Sequence, residues 1–148
     1  MNIVPYKAEH LLAFRLQPGQ QYLAAWTTED HAKAVEAAVD ANLGWAFTAI
    51  DDTGRVLGCA GVTLYWQGRG MAWSYLSSDI GMFFPKVHRA VKRFMDGCFV
   101  HRIEATADAD FAEGQRWLDM LGFKRETPEP MLGYRPDGGA CYLYARVR

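Results

Sequence analysis

The residues of this chain that could do chemistry are few and widely spaced. Glu104 lies in Arg102-Ile103-Glu104-Ala105-Thr106, a segment of strand character. A carboxylate on a strand beside a cleft can act as a general base where burial raises its pKa; its ordinary alternative is an ion pair with Arg102. Tyr142 and Tyr144 fall on one face of the last strand, and either could donate a proton, although aromatics on strands more often serve packing. Lys86, Arg89 and Arg93 share one helical face, with His88 and Lys92 nearby. Such a face is commonly a solvated one, but Lys86, in the first turn, is well placed for a phosphate. His10, His31, His88 and His101 are scattered, none has an Asp or Ser partner close in sequence, and all read as surface histidines. Cys59, Cys98 and Cys141 are odd in number and far apart, which points to reduced thiols rather than to a disulfide framework or a metal site.

These side chains need a scaffold, and the sequence outlines one. Residues 2–6 read as a strand, 9–16 as a short helix stopped by Pro18-Gly19, and a second helix runs from a cap at Thr27 or Thr28 to about residue 43, closed by Gly44. Residues 45–50, 55–66 and 71–77 are strand-like runs separated by Asp51-Asp52-Thr53-Gly54 and Gln67-Gly68-Arg69-Gly70, the pattern of an antiparallel meander. Pro85 opens a helix in which Val87, Ala90, Val91, Phe94, Met95 and Cys98 recur at helical spacing. A strand at 102–107 follows, then a helix at 112–121 that Asp110 and Glu113 are spaced to cap. A hairpin of 132–135 and 141–147 ends the chain. The sum is an α+β fold, a mixed and mostly antiparallel sheet with helices on both faces, in one domain over residues 1–148.

The order of elements resembles the GNAT superfamily of acetyl-CoA-dependent transferases. So do Arg102-Ile103-Glu104-Ala105 and the segment Arg116-Trp117-Leu118-Asp119-Met120-Leu121-Gly122-Phe123. A narrower similarity, through Trp73-Ser74-Tyr75-Leu76-Ser77-Ser78-Asp79, the basic helix and Arg116-Trp117-Leu118, is to the GNAT-like internal virion protein A group of short-tailed bacteriophages. The superfamily resemblance implies acetyl-CoA as cosubstrate and direct transfer of its acetyl group to an amine, here unknown. Tyr75, Leu76, Ser77 and Ser78 would then offer backbone groups to the pantetheine arm. Gly81 and Lys86 would meet the phosphates, and Glu104 and Tyr144 are the base and acid candidates. The phage resemblance implies the alternative, a non-catalytic structural or morphogenesis protein that works through protein contacts.

Three positions depart from the superfamily pattern. The stretch Ser78-Asp79-Ile80-Gly81-Met82-Phe83-Phe84-Pro85 has one glycine where a phosphate cradle usually has more. Leu118 stands where a proton-donating tyrosine is frequent, and Phe111 where asparagine is usual.

Composition narrows the partners. A net charge of −1 argues against a protein that coats nucleic acid. No apolar run is long enough to span a membrane, and the first residues lack the regions of a signal peptide. The expectation is a cytoplasmic protein, or a virion component if phage-encoded, with a homodimer or a phage protein as possible macromolecular partners.

Overall fold

Between residues 44 and 76, runs of small, β-branched and aromatic residues are broken by two turns. The computed structural model, which describes residues 1–148, folds them as the expected meander. Strands β2 (Gly44–Ile50), β3 (Val56–Trp66) and β4 (Arg69–Leu76) pair antiparallel in sequence order. β1 (Asn2–Pro5) adds to the outer edge of β2. β5 (Arg102–Asp108) then joins β4 in parallel, β7 (Cys141–Val147) pairs antiparallel with β5, and the two-residue β6 (Lys124–Arg125) closes the far edge. The sheet has seven strands in the order β1-β2-β3-β4-β5-β7-β6, mostly antiparallel.

Helices cover both faces. On one lie α1 (Ala8–Leu11), a 3-10 segment (Pro18–Trp26) and α2 (Glu29–Asp40); their Leu11 and Ala32 bury against Tyr6, Cys59 and Tyr75. On the other lie α3 (Phe84–Gly97) and α4 (Ala112–Met120). There Val87 packs with Leu57 and Leu76, while Met95, Leu121 and Phe123 pack with Val62, Ile103 and Ala105. All three cysteines are buried free thiols. No group of three or more His, Cys, Asp or Glu side chains could hold a metal, and no helix is long and apolar enough to cross a membrane.

Several boundaries differ from the sequence expectation, each for a physical reason. The helix expected at 9–16 stops at Leu11, because Leu16 is drawn into a bridge with Ser77, and tertiary pairing overrides helical propensity. Thr28 is the cap of α2, its hydroxyl accepting from the His31 N–H. Beyond that helix Asn42 takes the left-handed conformation (φ 59°), and Gly44, also at positive φ (145°), is already the first residue of β2. α3 begins at Phe84, so Pro85 is one residue inside it. Asp110 does not cap α4; Phe111 occupies the cap, and the Asp110 N–H instead donates to the Asp108 carboxylate. In the final hairpin the arm at 132–135 is not a strand. β7 pairs with β6, eight residues upstream of that arm's start, and through a single bridge with Met131.

Candidate functional site

β4 and β5 run parallel for only three residue pairs, Arg69 with Arg102, Gly70 with Ile103 and Met71 with Glu104. Beyond that point the strands part, leaving one edge of residues 72–76 unpaired with any strand. A cavity of about 920 Å³ opens there and passes through the sheet. On the α3/α4 side it is walled by Val87, Val91, Phe94, Trp117 and Leu118; on the other side by Trp26, His31, Tyr65, Trp73 and Tyr134.

The unpaired edge is satisfied by the chain itself. Gln20, on the 3-10 segment and buried, lays its side-chain amide along β4. Its Nε2 donates to the Ser74 carbonyl (2.8 Å) and its Oε1 accepts from the Leu76 N–H (2.9 Å). Gln17 assists, its backbone N–H donating to the Leu76 carbonyl (2.9 Å) and its Nε2 to the Gln20 Oε1 (3.1 Å). The Gln20 amide thus presents one donor and one acceptor where the peptide unit of a neighbouring strand would. Phe111 keeps the 3-10 segment seated: a Cβ on Gly19 would lie 2.2 Å from its ring, and one on Gly114 2.6 Å, so only glycine admits the ring at either place.

The residues expected to hold the coenzyme are distributed accordingly. Leu76 turns its backbone groups to the gap. Tyr75, the intervening residue, turns its own toward β3, because successive residues of a ladder face opposite neighbours. This corrects the expectation that Tyr75 offers backbone groups to the cleft. The Ser77 N–H donates to the Leu57 carbonyl (2.9 Å), and its hydroxyl accepts from the Asp79 N–H (3.0 Å). The Ser78 N–H donates to the Arg15 carbonyl (2.8 Å). Gly81 is exposed with φ 28°, and Lys86 is exposed in the first turn of α3. Asp79 leans toward Arg55, 3.7 Å away.

Neither expected proton-transfer group lines the cavity. Glu104 is 4% exposed and clamped by Arg69 at 2.7 and 3.1 Å and by Arg102 at 3.2 Å. The hydrogen bond from Arg69 holds its carboxyl below the usual range, against the opposing effect of burial. That is the reverse of the raised pKa a general base here requires. Tyr144 is 3% exposed and packs in the core with Leu121, Phe123 and Ala107, where burial raises its pKa.

The cavity does hold an unexpected pair. His31 Nε2 lies 3.1 Å from the Tyr75 hydroxyl, with Trp26 edge-on to the imidazole at 6.3 Å and Trp73 tilted against Tyr75 at 5.6 Å. Burial lowers the pKa of His31 and raises that of Tyr75. The phenol therefore keeps its proton and the imidazole is neutral, and which of the two donates across the contact is set by the imidazole tautomer. His88 is likewise engaged, its Nδ1 accepting from Trp117 Nε1 (3.1 Å), and His10 Nδ1 lies 2.9 Å from the Thr48 hydroxyl. Only His101 of the four lacks a side-chain partner.

No protein-family model and no curated protein matches the chain. Its fold is nevertheless shared by solved structures. A ribosomal-protein-S5-alanine acetyltransferase from Vibrio fischeri is 16% identical and superposes with a TM-score of 0.68, over 98% of this chain and 91% of its own. A spermidine N-acetyltransferase from Vibrio cholerae, solved in complex with CoA and spermine, is 10% identical with a TM-score of 0.70, over 99% and 94%. A GNAT-family acetyltransferase from Bacillus anthracis is 16% identical with a TM-score of 0.66, over 98% and 93%. The chain therefore has the fold of the GNAT acetyltransferases.

Proposed function

We propose that the protein is an acetyl-CoA-dependent N-acetyltransferase acting on an amine. The observation that carries this reading is the parting of β4 from β5 after Met71 and Glu104, because it opens a passage through the sheet with an approach from each face. The coenzyme arm enters from the α3/α4 side and the amine from the α2 side. The donor and acceptor that Gln20 now occupies, Leu76 N–H and Ser74 carbonyl, suit an amide-bearing pantetheine arm, which replaces the side-chain amide bond for bond. Ser77, Ser78 and Gly81 form the turn that leads to α3. The positive end of that helix, with Lys86 in its first turn, favours the phosphates.

Transfer is direct. The amine lone pair attacks the thioester carbonyl, the C–N bond forms, and the C–S bond breaks with its electron pair leaving on sulfur. A thiol of pKa about 8.5 leaves readily enough that Leu118 need not be an acid. Holding the two reactants on either side of the gap supplies much of the rate.

A second reading, a non-catalytic module of the phage type, draws support from the same edge, since Gln20 and Gln17 already satisfy it. Melting curves separate the two. Acetyl-CoA at a hundred times its dissociation constant adds about 2.7 kcal/mol, which for a chain of this size raises Tm by about 5–10 °C. An unmoved Tm at millimolar acetyl-CoA rejects the transferase.

A further inference from the structure

The walls of the cavity on the α2 side carry information about what it accepts. Six aromatic side chains gather there, Tyr22, Trp26, Tyr65, Trp73, Tyr75 and Tyr134. Trp26, Tyr65 and Tyr134 are each about half exposed at its mouth. Large rings left open to water together, around one opening, are surface waiting for a flat apolar body.

Charge says what that body lacks. Asp108 is the one carboxylate that lines the cavity. It is ion-paired with Arg135, whose guanidinium also binds Asp137 and lies over the Tyr22 ring at 4.3 Å. Glu104, close by in sequence, is outside the lining and held by two arginines. Arg93 and Arg135 are the other formally charged lining residues. A polyamine carrying several positive charges meets no free carboxylate here, so its desolvation goes uncompensated. A single amine on an aromatic or aliphatic body keeps the favourable burial and has one proton to lose.

One proton is what the His31–Tyr75 pair can take. The Tyr75 hydroxyl and His31 Nε2 lie 3.1 Å apart and both residues line the cavity; in the imidazole tautomer with Nε2 unprotonated the hydroxyl donates to it, and the phenol oxygen keeps its lone pairs for an incoming proton. We infer that the acceptor is a monoamine with a flat apolar body, and that Tyr75 takes its proton while passing its own to His31. The balance is simple. As the amine nitrogen bonds to the acetyl carbon, its proton moves to Tyr75 Oη, the phenol proton moves to His31 Nε2, and the imidazolium releases it to solvent after product leaves. Tyr75 is the catalytic group and His31 the positioning residue that keeps its hydroxyl oriented and supplies the sink.

The inference rests on the transferase reading, and the test separates the two. Thiol release is followed with acetyl-CoA and either 2-phenylethylamine or spermine, alongside the acetyl-CoA melting shift. The expected result is a kcat/KM for 2-phenylethylamine at least tenfold above that for spermine. Tyr75→Phe, which keeps the buried ring, lowers kcat at least tenfold with the KM for acetyl-CoA within twofold. His31→Ala loses kcat similarly and regains part of it with added imidazole, a rescue that a purely structural role would not show. A melting shift with spermine the better substrate, or with Tyr75→Phe at full kcat, overturns the inference and leaves the transferase standing. No melting shift removes both.

Discussion

The two ends of the β4–β5 pair are held by opposite kinds of contact. At the closed end, Glu104 of β5 is locked by Arg69 of β4 and by Arg102, which also binds Glu126. The Arg102 N–H adds a bond to the Gly68 carbonyl. At the open end the edge of β4 meets only neutral amides, the Gln20 side chain and the Gln17 backbone N–H. The closed end is charged, cross-linked and fixed by both strands; the open end is neutral and held by residues that belong to neither. A cleft that must keep its angle yet admit a ligand needs this asymmetry: a rigid vertex and a replaceable lining.

Breaking the vertex has the largest effect. Glu104→Ala leaves two arginines without their buried partner. Their side chains are 35% and 28% exposed, so water recovers part of the loss, and the expected cost is about 2–3 kcal/mol, below the usual cost of breaking a fully buried pair. Thermal unfolding should show Tm lower by about 5–10 °C; an unchanged Tm would mean that the clamp does not hold the vertex.

Gln20→Ala tests the other end. The free protein loses about 1–2 kcal/mol, since Ser74 and Leu76 are left with unpaired groups in a confined site. On the transferase reading the coenzyme no longer has to displace the amide, so acetyl-CoA binding, read by calorimetry, tightens about tenfold for each 1.4 kcal/mol removed from the free state. Weaker binding would show that Gln20 contacts the coenzyme rather than competing with it.

Acid sharpens the contrast. The folded-state pKa of Glu104 is depressed, chiefly by its bond from Arg69. Its stabilisation is therefore fully present above the unfolded value of about 4.3 and is lost as pH falls below it. The stability gap between the wild type and Glu104→Gln closes on acidification. The gap between the wild type and Gln20→Ala stays constant from pH 4 to pH 7, because no proton binds to an amide there.

Lys86→Ala is the smallest perturbation. It leaves Tm without ligand unchanged and weakens acetyl-CoA binding about two- to fivefold, the scale of a charge at a helix terminus; unaltered affinity removes Lys86 from the phosphate site.

The vertex was more legible in the sequence than the lining. Strand-like runs bounded by turn signals marked β2, β3 and β4, strand character marked β5, period-two alternation marked β7, helical spacing from Val87 to Cys98 marked α3, and Arg102 beside Glu104 already suggested an ion pair. The lining depends on partners far apart along the chain. Gln20 is a polar residue after a Pro-Gly stop, and nothing near it signals that its amide meets Ser74 and Leu76, 54 and 56 residues on. His31 read as a surface histidine because Tyr75 lies 44 residues away. Tyr144 alternates as a strand residue should, but alternation alone does not distinguish the cleft from the core beneath α4. Asp110 and Glu113 have capping spacing, yet Asp108 competes for the Asp110 N–H and wins.

The Gln20 amide also bears on how the free protein behaves in a crowd. An unpaired strand edge inside an accessible cleft is a template on which the strand of another molecule can add. By covering the donor of Leu76 and the acceptor of Ser74, the side chain denies that edge to every extended peptide, including copies of this chain. The residue that the coenzyme displaces in the proposed transferase is thus also a guard against self-association, and the emptied edge of Gln20→Ala should make the variant aggregate sooner at high concentration, an effect that acetyl-CoA reverses if it binds there.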